Sequence, residues 1–283
     1  MSVALQRGLY RFRQSGLSVA GAAIVAALLV LAVIGPAIVP YPDHVQGAVA
    51  TGARFQPPSP THWFGTNELG QDVFSLTVAA ARVSLLAGLA VVVAGTVIGT
   101  LVGGIAGFAG GWVDEALMRF TDLMLTIPSL ILAMAIAAAL GPGLANMVIA
   151  ISLSWWPGYA RLVRGEVLAR KEETFVLAAR AIGASAPRLL FRHVMPNIVS
   201  PVIVKMSLDT GFAILTVAAL GFIGIGVRPP TPEWGMLLAN ARNYMPDFWW
   251  TAIFPGAAIF LAVYGFNLLG DGLRDVLDPK ARR

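Results

Sequence analysis

The chain has 283 residues, of which 57% are hydrophobic and 12% are charged, and its formal net charge is +5. Soluble domains carry about 25% charged residues, and a charge at the centre of a bilayer costs about 2.5–3.5 kcal/mol. The composition therefore indicates a membrane protein. The absence of cysteine excludes disulfides, thiolate metal sites and a cysteine nucleophile. The three histidines are far apart and lack a metal-binding spacing.

About six transmembrane helices are predicted, because a spanning helix needs about 20 apolar residues. In chain order the predicted spans are Leu17–Val39, Val83–Phe108, Leu123–Leu140, Leu144–Tyr159, Ile198–Phe222 and Phe248–Leu269. The first stretch could also be a signal peptide, with Ala48-Val49-Ala50 resembling a cleavage site. Its apolar region is longer than the core of about 7–15 residues in signal peptides, which favours an uncleaved helix.

The distribution of lysine and arginine predicts that both termini are cytoplasmic, since most of these residues fall on one side of the six spans. Their role is therefore to set topology, which argues against binding of nucleic acid. The chain is predicted to have a cytoplasmic N-terminus (1–16), a first transmembrane helix (17–39) and an extracytoplasmic segment (40–82). A core of five transmembrane helices (83–270) with an external loop (228–247) and a cytoplasmic tail (271–283) follow.

Glycines recur at every fourth residue of the second span. They are Gly95, Gly99, Gly103, Gly107 and Gly111. This spacing places small residues along one face of a helix, where another backbone can approach closely. The face would pack statically against a neighbouring helix or slide along it.

The cytoplasmic loop 160–197, between the fourth and fifth spans, is too long for a simple connection between helices. Glu172-Glu173-Thr174 suits a helix N-terminus, and Gly183 suits the end of that helix. Between them an apolar stripe is predicted, formed by Phe175, Ala178, Ala179 and Ile182. Such a helix can dock into a groove on a soluble partner or lie on the membrane surface.

The loop sequence LAARAIGASAPRLLFRHVMP resembles the EAA loop of ABC importer permeases. Ala178-Ala179, Gly183 and Pro196 have the spacing of that motif, and Leu177 stands where the motif usually has its glutamate. HWFGTNELGQDVFS (62–75), ALGFIGIGVRPPTPEWG (219–235) and FNLLGDGLRDVLDPKARR (266–283) resemble motifs of the dipeptide, oligopeptide and nickel permeases. The resemblance is closest to the second permease of the dipeptide systems.

The resemblance implies an all-α permease of a bacterial inner membrane. It would form a heterodimer with a homologous permease, bind two cytoplasmic ABC ATPase subunits, and receive a di- or oligopeptide from an extracytoplasmic substrate-binding protein. Nickel or glutathione import is the alternative within this class. None of Lys171, Lys205 and Lys280 follows a glycine, so the chain has no phosphate-binding Gly-Lys-Ser/Thr. We therefore expect no catalytic residues, and no cofactor on this chain; ATP and Mg would bind the partner ATPases.

Two other classes of membrane protein have sequence patterns of their own. An ion-coupled secondary transporter usually has an internal repeat with broken helices, and a membrane-embedded enzyme needs a set of catalytic or metal-binding residues. The sequence shows neither pattern.

The resemblance assigns coupling to the ATPase to seven residues of the loop: Phe175, Ala178, Ala179, Arg180, Ile182, Gly183 and Pro196. Arg180 would face solvent or pair with an acid on the ATPase. Lys205 and Asp209, four apart and on one face of the fifth span, are a structural pair or part of the translocation path or gate.

The motifs on the predicted external side supply candidate contacts with the binding protein. These are Glu68, Asp72, Glu233 and Trp234. Glu68 and Asp72 could instead cap and orient their own loop. At the C-terminus, a structural ion network is predicted among Asp271, Arg274, Asp275 and Asp278.

Overall fold

The computed structural model describes residue 10 and residues 12–277. The described part is mostly helical and contains no strands, only one isolated antiparallel bridge between Thr66 and Asp72. The principal helices are α1 (Gly16–Ile38), α2 (Val73–Ala109), α3 (Gly111–Thr126), α4 (Ser129–Leu140), α5 (Leu144–Arg170), α6 (Thr174–Ala181), α7 (Val199–Ile223), α8 (Trp234–Ala241) and α9 (Trp250–Leu277). The all-α class is confirmed.

Four helices, α1, α2, α7 and α9, are long and apolar enough to cross a membrane. The pair formed by α3 and α4 could make a fifth span, although the two helices are bent by 91°. The predicted fourth span lies within α5, whose 27 residues extend about 40 Å. Helix α5 is less apolar than these four helices, and its second half carries Arg161, Arg164, Glu166 and Arg170.

The predicted third span, 123–140, is wrong as a single straight helix. The chain is extended at Ile127, with φ −91° and ψ 127°. Pro128 follows, and a proline disfavours the helical conformation of the residue before it. The break leaves α4 with 12 residues, which extend about 18 Å.

Two hydrophobic cores hold the long helices together. The first joins α1, α2, α7, α8 and α9 around Leu85, Ile214 and Trp234. The second joins α2, α4, α5 and α7 around Met147 and Ile151. The short helix α4 contributes Ala133 and Ala137 to this second core, so it is attached chiefly to the first half of α5.

The glycines of α2 form a close seam with α5. A Cβ atom at Gly99 would lie 2.5 Å from the carbonyl oxygen of Trp156, and one at Gly103 would lie 2.2 Å from that of Ala160. Only glycine fits at such a distance. Gly111 does not belong to this seam, because α2 ends at Ala109 and no atom lies within 4 Å of a Cβ placed there.

Pro157 lies in the middle of α5. A proline inside a helix removes one backbone hydrogen bond and crowds the preceding turn. The α5 residues on either side of Pro157 have different neighbours. Met147, Ala150 and Ile151 belong to the second core, whereas Val163 and Val167 pack against the segment that follows the helix.

Candidate functional site

The coupling segment, residues 171–198, connects α5 to α7 and contains α6. After α6 come one turn of α-helix at Ala186–Arg188, a wider helical turn at Leu189–Val194 and a 3-10 turn at Met195–Asn197. The segment is thus folded along most of its length. The exposed Pro196 lies in the last of these turns.

The inner face of α6 consists of Val176 and Ala179, which are buried. They join a third core with Val163 and Val167 of α5 and with Ile198 at the start of α7. Lys171 reinforces the attachment, because its ammonium donates to the carbonyl oxygen of Gly107 at the end of α2, at 2.9 Å. The coupling segment is therefore fixed to three long helices.

The outer face of α6 carries exposed apolar side chains. The side chains of Phe175, Leu177 and Ile182 are exposed, and Ile182 is 88% exposed. Ala178 and Arg180 lie on the same exposed side. Ala179 does not: it is only 7% exposed and packs inward, so its predicted role in coupling stays a prediction. A helical pattern groups residues on one face but does not say which face meets the rest of the protein.

Gly183 ends α6 through its backbone conformation. Its φ is +86°, a region that residues other than glycine rarely adopt. The Gly183 amide donates to the carbonyl of Arg180, and the Ala184 amide donates to that of Ala179, which is the bonding of a Schellman motif. No atom lies within 4 Å of a Cβ placed at Gly183. Glycine is therefore needed here for its φ and not for space.

Lys205 and Asp209 form an ion pair within α7, with 2.9 Å between Nζ and Oδ2. The Lys205 ammonium also lies 5.0 Å from the centre of the Tyr159 ring on α5, a distance at which a cation is attracted by the face of an aromatic ring. The pair is partly buried. Its role in a translocation path or gate stays a prediction.

Two of the predicted contacts with a binding protein are buried. The Glu233 carboxylate caps α8, accepting hydrogen bonds from the amides of Gly235 and Met236, both at 2.9 Å, and from Ser84 Oγ at 3.2 Å. Trp234 donates from its ring nitrogen to the carbonyl of Thr77 at 2.9 Å. Both side chains face the interior, so they do not offer a contact surface. Burial raises the pKa of Glu233.

Asp72 is also buried, and it caps α2. Its Oδ2 accepts hydrogen bonds from the amide and hydroxyl of Ser75, and its Oδ1 lies 2.9 Å from Nδ1 of His62. Its amide donates to Nδ1 of His44 at 3.0 Å. Burial lowers the pKa of His44. The capping alternative thus describes Asp72, whereas Glu68 is half-buried and lines a small cleft with Asn240.

Two ion pairs between α3 and α5 were missed in the sequence. Arg164 holds Asp114 with two hydrogen bonds, 2.5 Å from Nε and 2.7 Å from the terminal nitrogen. Arg161 holds Asp122 at 2.6 Å. The signal was present, because Asp114 and Asp122 are acids in a mostly apolar stretch. Because these arginines also fit a role in topology, the sequence alone does not single them out as partners of the two acids.

The C-terminal network lies partly outside the described residues. Asp271, Arg274 and Asp275 belong to the last turns of α9, and Asp278 follows the described part of the chain. Within the part that the structure describes, no group of three histidine or acidic residues is placed to hold a metal ion.

Comparison with known proteins supports the resemblance. Residues 95–283 match the family of binding-protein-dependent transport system inner membrane components. Residues 4–58 match the N-terminal TM domain of oligopeptide transport permease C. The chain is 47% identical over 272 residues to the probable D,D-dipeptide transport system permease protein of Escherichia coli, covering 96% of this chain and 90% of that protein.

Two further relatives are named for the transport of dipeptides and of glutathione. A dipeptide transport system permease protein of Alkalihalophilus pseudofirmus is 42% identical, covering 96% of this chain and 88% of that protein. A glutathione transport system permease protein of Shigella sonnei is 43% identical, with 96% and 89% covered. With its apolar helices and its folded loop, the chain belongs to the family of inner membrane components of binding-protein-dependent transport systems.

Proposed function

We propose that this chain is one permease subunit of an ATP-binding-cassette importer for di- or oligopeptides. It forms half of the translocation path, together with a homologous permease. Two ABC ATPases bind ATP and Mg on the side of the coupling segment, and a substrate-binding protein delivers the peptide on the opposite side. Dipeptide permeases among the relatives support this substrate class.

The observation that carries the proposal is the two-sided construction of the coupling segment. One face of α6 is packed into the third core, while Phe175 and Ile182 stay exposed on the other face. Exposed apolar side chains on a firmly attached helix are suited to a groove on a soluble partner. Motion of such a partner would reach α5 and α7 through the third core, to which α6 and both of these helices contribute.

Co-purification of the ATPase tests the docking role. The chain is expressed with its neighbouring genes, as wild type and as Ile182→Glu or Phe175→Glu. Each change places a charge at an exposed position and leaves the buried face intact. Trp63→Glu is the matched control, since Trp63 is a large apolar side chain that is 58% exposed on the connection between α1 and α2.

We expect the ATPase to co-purify with wild type and with Trp63→Glu, and to be lost from the two α6 variants. Equal recovery with all four proteins would contradict the docking role. Peptide uptake into proteoliposomes then tests the transport role. Uptake that needs ATP and the ATPase supports an importer, whereas uptake by this chain alone in a proton or sodium gradient would contradict it.

Glutathione is a second candidate substrate, favoured by the glutathione permease among the relatives. Competition distinguishes the two candidates. If unlabelled glutathione suppresses uptake of a labelled dipeptide only weakly while other dipeptides suppress it fully, the dipeptide is the substrate. The reverse order of suppression would identify a glutathione importer.

A further inference from the structure

The bent pair α3–α4 is attached to the rest of the protein mainly through α5. The short helix α4 packs against residues of α5 that precede Pro157, among them Met147 and Ile151. Helix α3 contacts α2 and α5. Among its described residues only Thr121 is buried, so apolar packing gives α3 little attachment.

Ion pairs supply the attachment that packing does not. Arg164 and Arg161 both lie beyond Pro157, on the side of α5 that packs against the coupling segment. The Arg164–Asp114 pair is bidentate, and its side chains are 36% and 15% exposed. Bidentate, partly buried pairs fix geometry as well as contribute energy. The Arg161–Asp122 pair is more than half exposed, and such exposed pairs contribute little.

The two helices of the bent pair are thus tied mainly to different halves of α5. Helix α4 is held by the half before Pro157. The ion pairs of α3 reach the half after Pro157, while Phe120 of α3 stacks on Trp156 just before it, with 5.9 Å between ring centres. The bent pair has a break at Ile127–Pro128, whereas α5 is continuous and contains Pro157 between its two halves. A change of direction at Pro157 would therefore carry α3 with the second half of α5 and alter the angle between α3 and α4.

We propose that Asp114 and Arg164 are positioning residues that make α3 follow the second half of α5, so that movement of the coupling segment opens or closes the α3–α4 bend. The inference rests on the proposed function, since the bend would respond to the ATPase. It assigns the pair no contact with ATP or substrate. Loss of the Asp114–Arg164 ion pair should uncouple transport from ATP hydrolysis without releasing the ATPase.

The first test measures peptide imported per ATP hydrolysed by the reconstituted complex. Asp114→Asn and Arg164→Gln each remove one charge of the pair. The matched control is the neighbouring pair of Glu115 and Arg119, which lies within α3 and is strongly exposed. Glu115→Gln and Arg119→Gln remove the same charges without touching α5.

We expect Asp114→Asn and Arg164→Gln to lower this ratio about fivefold, the lower end of usual coupling between separate sites. Recovery of the ATPase should stay at the wild-type level, and the control variants should keep the wild-type ratio. An unchanged ratio in both Asp114→Asn and Arg164→Gln would overturn the inference. A wild-type complex that imports no peptide would contradict the proposed function itself.

A second test replaces the ion pair by a removable covalent link. The chain has no cysteine, so the double variant Asp114→Cys/Arg164→Cys can be joined by a short bis-methanethiosulfonate reagent and released by reduction. If α3 must move with α5, the released protein is uncoupled and the linked protein regains the wild-type ratio. If the linked protein imports no more peptide per ATP than the released protein, the inference is overturned. Because both states belong to the same protein, this comparison holds even where the single variants fold poorly.

Discussion

The connections at the two ends of the helices are built in opposite ways. In the connection between α1 and α2, the carboxylate of Asp72 is buried and accepts hydrogen bonds at the start of α2. The carboxylate of Glu233, in the connection between α7 and α8, does the same at the start of α8. In the coupling segment, the large apolar side chain of Ile182 is turned outward. The acids Asp72 and Glu233 thus have structural roles, whereas the apolar Ile182 is exposed on a folded helix. Variants in the two kinds of connection can test this difference.

Two glycines with similar φ should give the largest contrast. Gly70 has φ +76° and Gly183 has φ +86°. A Cβ at Gly70 would lie 1.8 Å from the carbonyl oxygen of Ala50, whereas a Cβ at Gly183 meets nothing within 4 Å. We expect Gly183→Ala to cost about 1 kcal/mol, from backbone strain alone, and Gly70→Ala to cost more than about 4 kcal/mol. Thermal unfolding in detergent measures both. Equal losses would show that the two connections are equally open.

Removal of a buried cap should have the next largest effect. Asp72→Ala leaves the Ser75 amide and His62 without their partner, and we expect a loss of about 2 kcal/mol, at the upper end for N-caps. Binding of the ATPase by the remaining folded protein should not change. Arg180→Ala, at an exposed position of the coupling segment, is the comparison, and it should leave the melting temperature unaltered. A stable Asp72→Ala protein would mean that Asp72 does not hold the connection.

The pH dependence of stability should report the buried Glu233. Its pKa is raised above 4.5, so the folded protein holds this proton more tightly than the unfolded chain does. The contribution of Glu233 to the free energy of unfolding is therefore fully present below pH 4.5 and is lost as the pH rises through the raised pKa. Glu233→Gln should lack this decline. Because both proteins keep His44, the difference between their melting curves at pH 4–8 isolates Glu233. Parallel curves would contradict its shifted pKa.

The two faces of α6 should give the smallest contrast. Val176 is buried in the third core and Ile182 is 88% exposed. We expect Val176→Ala to cost about 1–2 kcal/mol, through lost transfer energy and a small cavity. Ile182→Ala should change stability by less than about 0.5 kcal/mol. Chemical unfolding of the purified chain compares them. A loss of stability at Ile182 as large as at Val176 would mean that α6 is packed on both faces.

Much of the fold follows from apolar stretches in the sequence, because lipid requires long uncharged helices. The predicted limits of the first and fifth spans differ by one residue from those of α1 and α7. Pro128 itself indicates the break before it, but the apolar stretch continues across this proline and so favoured one unbroken span. The burial of Glu233 was not readable, since its partner Ser84 is 149 residues away. Helical spacing also does not show that Ala179 faces inward, because it groups residues on one face of the helix without saying which face packs against the core.

Pro157 lies at the midpoint of α5. From there to Arg170 the helix has 13 residues and is about 20 Å long. A change of direction of about 15° at Pro157 would displace the end of the helix by about 5 Å, close to the pitch of one helical turn. A small angular change within α5 thus corresponds to a displacement of one full turn where the coupling segment begins.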